Sequence, residues 1–303
     1  MRNPVQTTDT VLMVKPAAFG YNEETSVNNH FQTRSGESDI PERPRQESEA
    51  FIALLEESRI NVIAVEDTPE PHTPDSVFPN NWFSTHEDGT LVLYPMFAPN
   101  RRLERKPAVL EVIKANFNVK RTVDLTYYEK KGLFLEGTGS MVLDRVNRIA
   151  YACRSPRTSV EVLKNLCGKL GYEPLLFDAF DTGGTRIYHT NVMMSIGTEI
   201  AVICQDSIRD PSQSTRVRES LEKSGRTVME ISLGQMNCYA GNLLEIRNRA
   251  GEPCLILSLT AYCCLSNEQR DILKSRMKLI IPSLECIEKN GGGSARCMLA
   301  ELF

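Results

Sequence analysis

One pattern returns along this chain at a fixed period. Four segments share a layout: FPNNWFSTHEDGTLVLYPM, LEGTGSMVLDRVNRIAYACRS, YHTNVMMSIGTEIAVICQDSI and YAGNLLEIRNRAGEPCLILSL. Each opens on small or polar residues, runs apolar, turns at a Gly or Asn and runs apolar again. A fifth opening, GGGSARCMLAELF, stops where the chain stops. The residues at the equivalent place are Asn81, Glu136, His189, Asn242 and Cys297, spaced 53–55 residues apart. A period in this range signals a repeat architecture, in which no unit can bury its apolar face alone.

Each hairpin is followed by a helix signal and then a third strand. In the second unit, Ser155 and Pro156 read as N-cap and first helical residue of a helix ending at Gly171. Val160, Leu163, Leu166 and Leu170 form its apolar face, and EPLLFDA follows as a buried strand. STRVRESLEKSG and RTVMEIS repeat the pair, as do NEQRDILKSRM, capped by Ser266, and KLIIPSL. In the first unit LERKPAVLEVIKANF is the helix, with Pro107 in its first turn, and VKRTVDL the strand. The N-terminal part supplies the rest of the fifth unit: VLMVKP, the helix RPRQESEAFIALLEES and INVIAVE. Residues 33–50, polar at the start, read as a surface loop leading into that helix. The expected fold is α/β: five ββαβ units in a ring, closed by pairing CMLAEL with VLMVKP, over a single domain of residues 1–303. Closure hides apolar strand edges. It also turns the five equivalent positions toward one central cavity.

Composition narrows the function. The charge is −4, from 35 basic and 39 acidic residues without a basic block, which argues against nucleic acid and polyanionic surfaces as partners. No run reaches the roughly 18 apolar residues of a membrane span, and MRNPVQTTDTVLMV lacks a signal-peptide core. The nine cysteines contain no C-x-x-C pair, so a reducing cytoplasm is the expected location. Cys153, Cys204 and Cys254 lie in apolar runs and read as packing residues.

Three of the repeat positions carry chemistry. Cys297 follows Gly291, Gly292 and Gly293, a backbone suited to close approach. A thiol is intrinsically nucleophilic, and Arg296 or a cationic substrate would favour its thiolate. His189, between Tyr188 and Thr190, suits general acid and base work, although a hydrogen-bonded core histidine is the commoner case. His30, His72 and His86 are weaker candidates. Glu136 ends an apolar run, where an unpaired carboxylate is costly, so it is paired or functional. A nucleophile, a base and an orienting carboxylate are the requirements for covalent catalysis at an electrophilic carbon. Cys, His and Glu also bind zinc, but zinc-site spacing is missing. GGGSAR precedes a strand rather than a helix, unlike a phosphate-binding loop. The reading therefore has no metal and no cofactor.

At these residues the chain resembles the guanidine-modifying, or pentein, enzymes: arginine deiminases, dimethylarginine hydrolases, amidinotransferases and succinylarginine dihydrolases. FPNNW, LEGTGSMV, YHTN and GGGSARCM match that superfamily's site motifs in order, over nearly the whole chain. The match is nearest the citrulline-hydrolysing branch, often described as amidinotransferase-like. The resemblance implies a five-bladed α/β propeller. Cys297 would attack a guanidino or ureido carbon, His189 would protonate the leaving nitrogen and then activate water, and Glu136 would hold the substrate's nitrogens. It implies further that Arg157, or Arg154, clamps the α-carboxylate of an amino-acid substrate, with Arg101 or Arg102 as another candidate. Asp75, Asn28 and Asn29 would meet the α-amino end.

Two departures bear on the substrate. Deiminases carry Asp at the positions of Asn81 and Asn191, where it holds a guanidinium. A hydrogen bond to a charged group contributes roughly 1.5–3 kcal/mol, so two neutral amides disfavour a cation. Succinylarginine dihydrolases keep Asn at the first position, so Asn191 decides. The expected activity is hydrolysis of the citrulline ureido group to ornithine, ammonia and carbon dioxide. The alternatives are an arginine deiminase, dihydrolase or amidinotransferase and, in another class, a non-catalytic pentein like the ribosome anti-association factors. The last predicts loss of Cys297, His189 and Glu136, and all three are present. A homo-oligomer is compatible with this reading.

Overall fold

The computed structural model describes residues 5–33 and 42–303. Its strands, in chain order, are β1 (Thr10–Lys15), β2 (Asn61–Glu66), β3 (Phe83–Thr85), β4 (Thr90–Leu93) and β5 (Arg121–Asp124). They continue as β6 (Val142–Asp144), β7 (Ile149–Cys153), β8 (Glu173–Phe177), β9 (Met194–Ile196) and β10 (Ile200–Ile203). The last five are β11 (Thr227–Glu230), β12 (Leu244–Arg247), β13 (Pro253–Ile256), β14 (Lys278–Ile280) and β15 (Ala300–Leu302). They form five separate three-stranded sheets of one design. The middle strand pairs antiparallel with its hairpin partner and parallel with the strand that follows the crossover helix. The fifth sheet joins the chain ends: β15 runs antiparallel to β1, with Thr10 opposite Leu302, and β1 runs parallel to β2. This is the expected closed set of ββαβ units.

The crossover helices are Arg43–Glu57, Pro107–Asn116, Val160–Leu170, Pro211–Lys223 and Asn267–Lys274. Each turns a short apolar stripe inward, such as Phe51, Ile52 and Leu55, or Val217 and Leu221 in an otherwise charged helix. Burying each such side chain contributes roughly 1.5–3 kcal/mol. The apolar core is accordingly divided into four clusters set around the ring. The space among the inner strands is polar instead, lined by Gln6, Arg145, Glu245, Arg296 and Glu301. Gln6 links two sheets there, its amide donating to the carbonyls of Leu143 and Ile196. No helix among the described residues is long and apolar enough to cross a membrane.

Several local expectations hold. Pro107 is the first helical residue, Gly171 ends its helix at φ 72°, and Ser266 forms a capping box with Gln269. Others need correction. The second-unit helix starts at Val160 after Ser159, not at Pro156. Ser155 is taken by a different partner, donating to the Tyr188 carbonyl at 2.7 Å, and the turn it anchors carries Arg157. The buried stripe of that helix is Val162, Leu163, Leu166 and Cys167, with Val160 and Leu170 at its margins. Residues 103–106 lie outside the first-unit helix, Leu103 and Glu104 in a 3-10 turn, Asn100–Glu104. The third-unit helix begins three residues early because Asp210 caps it, accepting from the backbone N–H of Ser212 and Gln213. EPLLFDA is only half-buried, since β8 is an edge strand. Of residues 33–50, 34–41 lie outside the described residues and Arg43 already starts the helix.

Candidate active site

The marker residues do not sit in strands. Each lies at a short helical turn or bend just before the inner strand of its sheet. Asn81 closes the turn Pro79–Asn81, Glu136 precedes Gly137–Ser140, His189 precedes Thr190–Val192, and Cys297 lies within Ala295–Met298. Cys297 is thus on a turn before β15, where the sequence suggested the strand itself. These turns pack on one another at the ring axis, tied by Thr190, whose hydroxyl donates to Ser140 O at 2.6 Å. Asn81, His189 and Cys297 thereby line one cavity with Thr25, Asn29, Asp75, Arg101, Arg157, Tyr188 and Gly291–Gly293. Its volume open to the centre of a water molecule is ≈ 10 Å³, on the order of one water.

His189 and Glu136 are in direct contact, Nε2 to Oε2 at 2.8 Å, and both are buried. Burial opposes ionisation of Glu136, but the charge of Arg157 and the hydrogen bond from His189 prevail and hold its carboxyl far below the usual range. Burial pushes His189 down to about 4, with Glu136 pulling the other way. The resting pair is therefore carboxylate and neutral imidazole. Nε2–H donates to Glu136, and Nδ1 keeps its lone pair for the cavity. Glu136 is itself held by the Phe97 N–H at 3.0 Å and by Arg157 Nη1 at 3.4 Å.

The polar neighbours of the Cys297 sulfur are amides. Asn242 Nδ2 donates to Sγ at 3.2 Å and Asn191 Nδ2 at 3.5 Å. Asn242 is fixed in this sense because its Oδ1 accepts from the Arg296 N–H at 3.1 Å. Arg296 does not supply the expected charge at sulfur: its guanidinium donates to Leu299 O and pairs with Glu301. Two buried amide atoms at this centre have no partner: Asn191 Oδ1, on the side chain whose Nδ2 reaches the sulfur, and Asn81 Nδ2, on a side chain that lines the cavity with His189 and Cys297.

Arg157 is buried, lies over the Tyr188 ring and donates to Asn28 Oδ1 and Thr25 O, each at 2.7 Å. Asp75 accepts from Asn22 Nδ2 at 2.8 Å, leaves Oδ1 unpaired, and is pushed up by burial. Arg101 reaches the cavity, whereas Arg102 donates to Met96 O and Phe97 O. Arg154 is a correction: its guanidinium pairs with Asp178 on the surface, 40% exposed, outside the cavity lining. Two residues of a non-helical turn, Ser155 and Pro156, separate it from Arg157, and only Arg157 faces inward. Sequence reasoning missed the supporting roles of Asn242, Thr25, Tyr188 and Phe97. Asn242 had a signal, its place in the repeat. Phe97 and Thr25 had none, because they act through backbone atoms. Among the described residues no group of three or more His, Cys, Asp and Glu is placed to hold a metal ion.

Gly139 makes the close packing of these turns possible. A Cβ there would sit 2.5 Å from Asn81 Nδ2 and 2.8 Å from His189 Nδ1 and Cε1. Gly139→Ala is expected to displace both side chains and lower turnover by about 10²-fold. Thermal stability should fall by only about 1–3 kcal/mol. Paired kinetics and denaturant melts check it, and unchanged kinetics would contradict the placement of the imidazole.

Fold and site together define the class: a pentein hydrolase acting on linear C–N bonds of amidino compounds. The family of eukaryotic N,N dimethylarginine dimethylhydrolases matches residues 15–303, and the chain belongs to it. Among solved structures, the arginine dihydrolase ArgZ of the cyanobacterial ornithine–ammonia cycle superposes with a TM-score of 0.73 at 18% identity. That match covers 97% of this chain but 40% of ArgZ; the N-terminal domain of ArgZ bound to substrate, 16% identical, is covered over 97% of both chains. A dimethylarginine hydrolase from Pseudomonas aeruginosa, complexed with citrulline, matches at TM-score 0.67 and 13% identity, covering 98% of this chain and 99% of that one. These likenesses establish the fold. No curated protein matches in sequence.

Proposed function

We propose that the chain hydrolyses the ureido group of citrulline through a covalent Cys297 intermediate. The observation that carries this reading is a pair of unpartnered buried amide atoms, a donor on Asn81, which lines the cavity with Cys297, and an acceptor on Asn191, whose Nδ2 reaches the sulfur. A ureido group offers one carbonyl acceptor and N–H donors and completes both. A guanidinium offers donors only and leaves the Asn81 donor opposed.

His189 Nδ1 takes the Cys297 proton as Sγ attacks the ureido carbon. The developing oxyanion accepts from Asn81 Nδ2. His189 returns the proton to the terminal nitrogen, which leaves as ammonia, and a thiocarbamate links Cys297 to the substrate chain. His189 next activates water, which displaces sulfur. The resulting carbamate loses carbon dioxide to give ornithine, so one water is consumed per turnover. Glu136 holds the imidazole in the required tautomer. The substrate carboxylate replaces the oxygens of Asn28 and Thr25 on Arg157. The free α-ammonium meets the unpaired Asp75 Oδ1, which favours a free amino acid over an N-acylated one. With room for about one water in the cavity, the segment bearing Thr25 and Asn28 has to move for entry.

The family description favours a second reading within the class, a guanidino substrate such as arginine or its dimethylated form. The test is turnover of citrulline, arginine, Nω,Nω-dimethylarginine and the N-acylated derivatives, read as ammonia or, from the dimethylated substrate, dimethylamine, together with the ornithine, citrulline or N-acylated product left behind. Citrulline is expected to lead by at least about 10²-fold, the worth of two mismatched polar contacts. Turnover of arginine but not citrulline would overturn the proposal, and fast turnover of an acylated substrate would overturn the role of Asp75.

A further inference from the structure

Arg101 lies beside the cavity yet spends its guanidinium inside the protein. Nε and Nη2 grip the Glu104 carboxylate at 2.7 and 3.0 Å, and Nη2 also donates to Phe78 O at 3.1 Å. The remaining reach, from Nη1, goes to Asn81 Oδ1 at 2.7 Å. All three side chains are buried. A guanidinium has five N–H donors and no acceptor. The Asn81 atom that faces it must therefore be the oxygen, because the turned amide would set N–H against N–H at a charged group. The donor Nδ2 is left facing the opposite way, buried and without a partner, in the wall it shares with His189 and Cys297. A freely turning amide would offer donor or acceptor as the ligand required. This one offers only a donor.

We propose that Arg101, locked to Glu104, fixes the polarity of the Asn81 amide and thereby makes this wall select a carbonyl-bearing ureido group over a guanidino group. Arg101 is in this view a positioning residue that acts through Asn81. The inference rests on the citrulline reading above.

The test is a double-mutant cycle on the citrulline-to-arginine ratio of kcat/KM. Lys lacks the planar fork and holds Glu104 and Asn81 together poorly. Arg101→Lys should lower the ratio about 10–100-fold, mostly through kcat on citrulline, with arginine turnover unchanged or raised. In an Asn81→Ala background the same change should move the ratio less than about twofold. Equal losses on both substrates, or an undiminished effect in the Asn81→Ala background, would mean that Arg101 acts structurally or touches substrate itself, and would overturn the proposal. If Arg101→Lys does not fold, Asn81→Ser, which keeps a donor but frees its direction, has to lower the ratio about tenfold by itself; no change would overturn the proposal. Failure of the underlying reading is seen separately, in the wild-type protein alone, as preference for arginine or inactivity toward both.

Discussion

Cys297→Ala is expected to lower ammonia release from the preferred substrate by at least about 10⁴-fold while leaving a folded protein. The size follows from the role: without sulfur no S–C bond forms, and what remains is the binding and electrostatic contribution of the cavity. The stability cost should be small, about 1–2 kcal/mol, because Cys297 carries only weak acceptor bonds from Asn191 and Asn242 and leaves a small gap. Acid quenching during turnover should trap a mass adduct on a peptide containing Cys297 in the wild type and none in the variant. A Cys297→Ala, His189→Ala double variant should be little worse than Cys297→Ala alone, since the two act as a unit. Retained turnover, or wholesale unfolding of the Ala variant, would return Cys297 to the role of a packing residue beside Phe78 and Met298.

The ring could be read before any coordinates because its cause is periodic. The apolar hairpin, the helix stripe and the third strand recur at one spacing, and closure follows from an unpaired strand at each end. The same period marked Glu136, His189 and Cys297, since equivalent turns face the axis. What was misplaced lay below the period. Ser155-Pro156 has the local chemistry of a helix start, but a tertiary bond to Tyr188 O outbids it and the turn holds Arg157 instead. Arg154 and Arg157 are indistinguishable by residue type, and only the direction of that turn sends one to Asp178 and the other to Asn28. The amide orientations were beyond the sequence altogether. Asn81 can present either face, and what fixes it is Arg101, twenty residues away and held by Glu104.

Glu136→Gln separates the electrostatic role of the carboxylate from its shape. Two effects are expected together. Arg157 is 2% exposed and loses its ion pair with Glu136, and breaking a buried pair from one side costs about 3–5 kcal/mol. The neutral amide also lets His189 adopt either tautomer, so turnover should drop about 10³–10⁴-fold. The pH dependence tells these apart. His189 is depressed to about 4, with burial as the first cause and Glu136 as the chief opposing influence. Its neutral state supports the fold fully above the unfolded value near 6.5, and that support is lost as pH falls toward about 4. Glu136, held low, adds stability that is present above its ordinary range and fades on further acidification. Both therefore make the wild type weaken from neutral pH downward. In the Gln variant the carboxylate contribution is gone, so stability at pH 7 falls, while the histidine contribution is lost over a window that reaches to lower pH than in the wild type. The acid limb of residual turnover should move to lower pH, because nothing then raises the imidazole. Denaturant melts and kcat/KM profiles from about pH 2 to 8 check both, and a limb that moves to higher pH would show that the group titrating there is not His189.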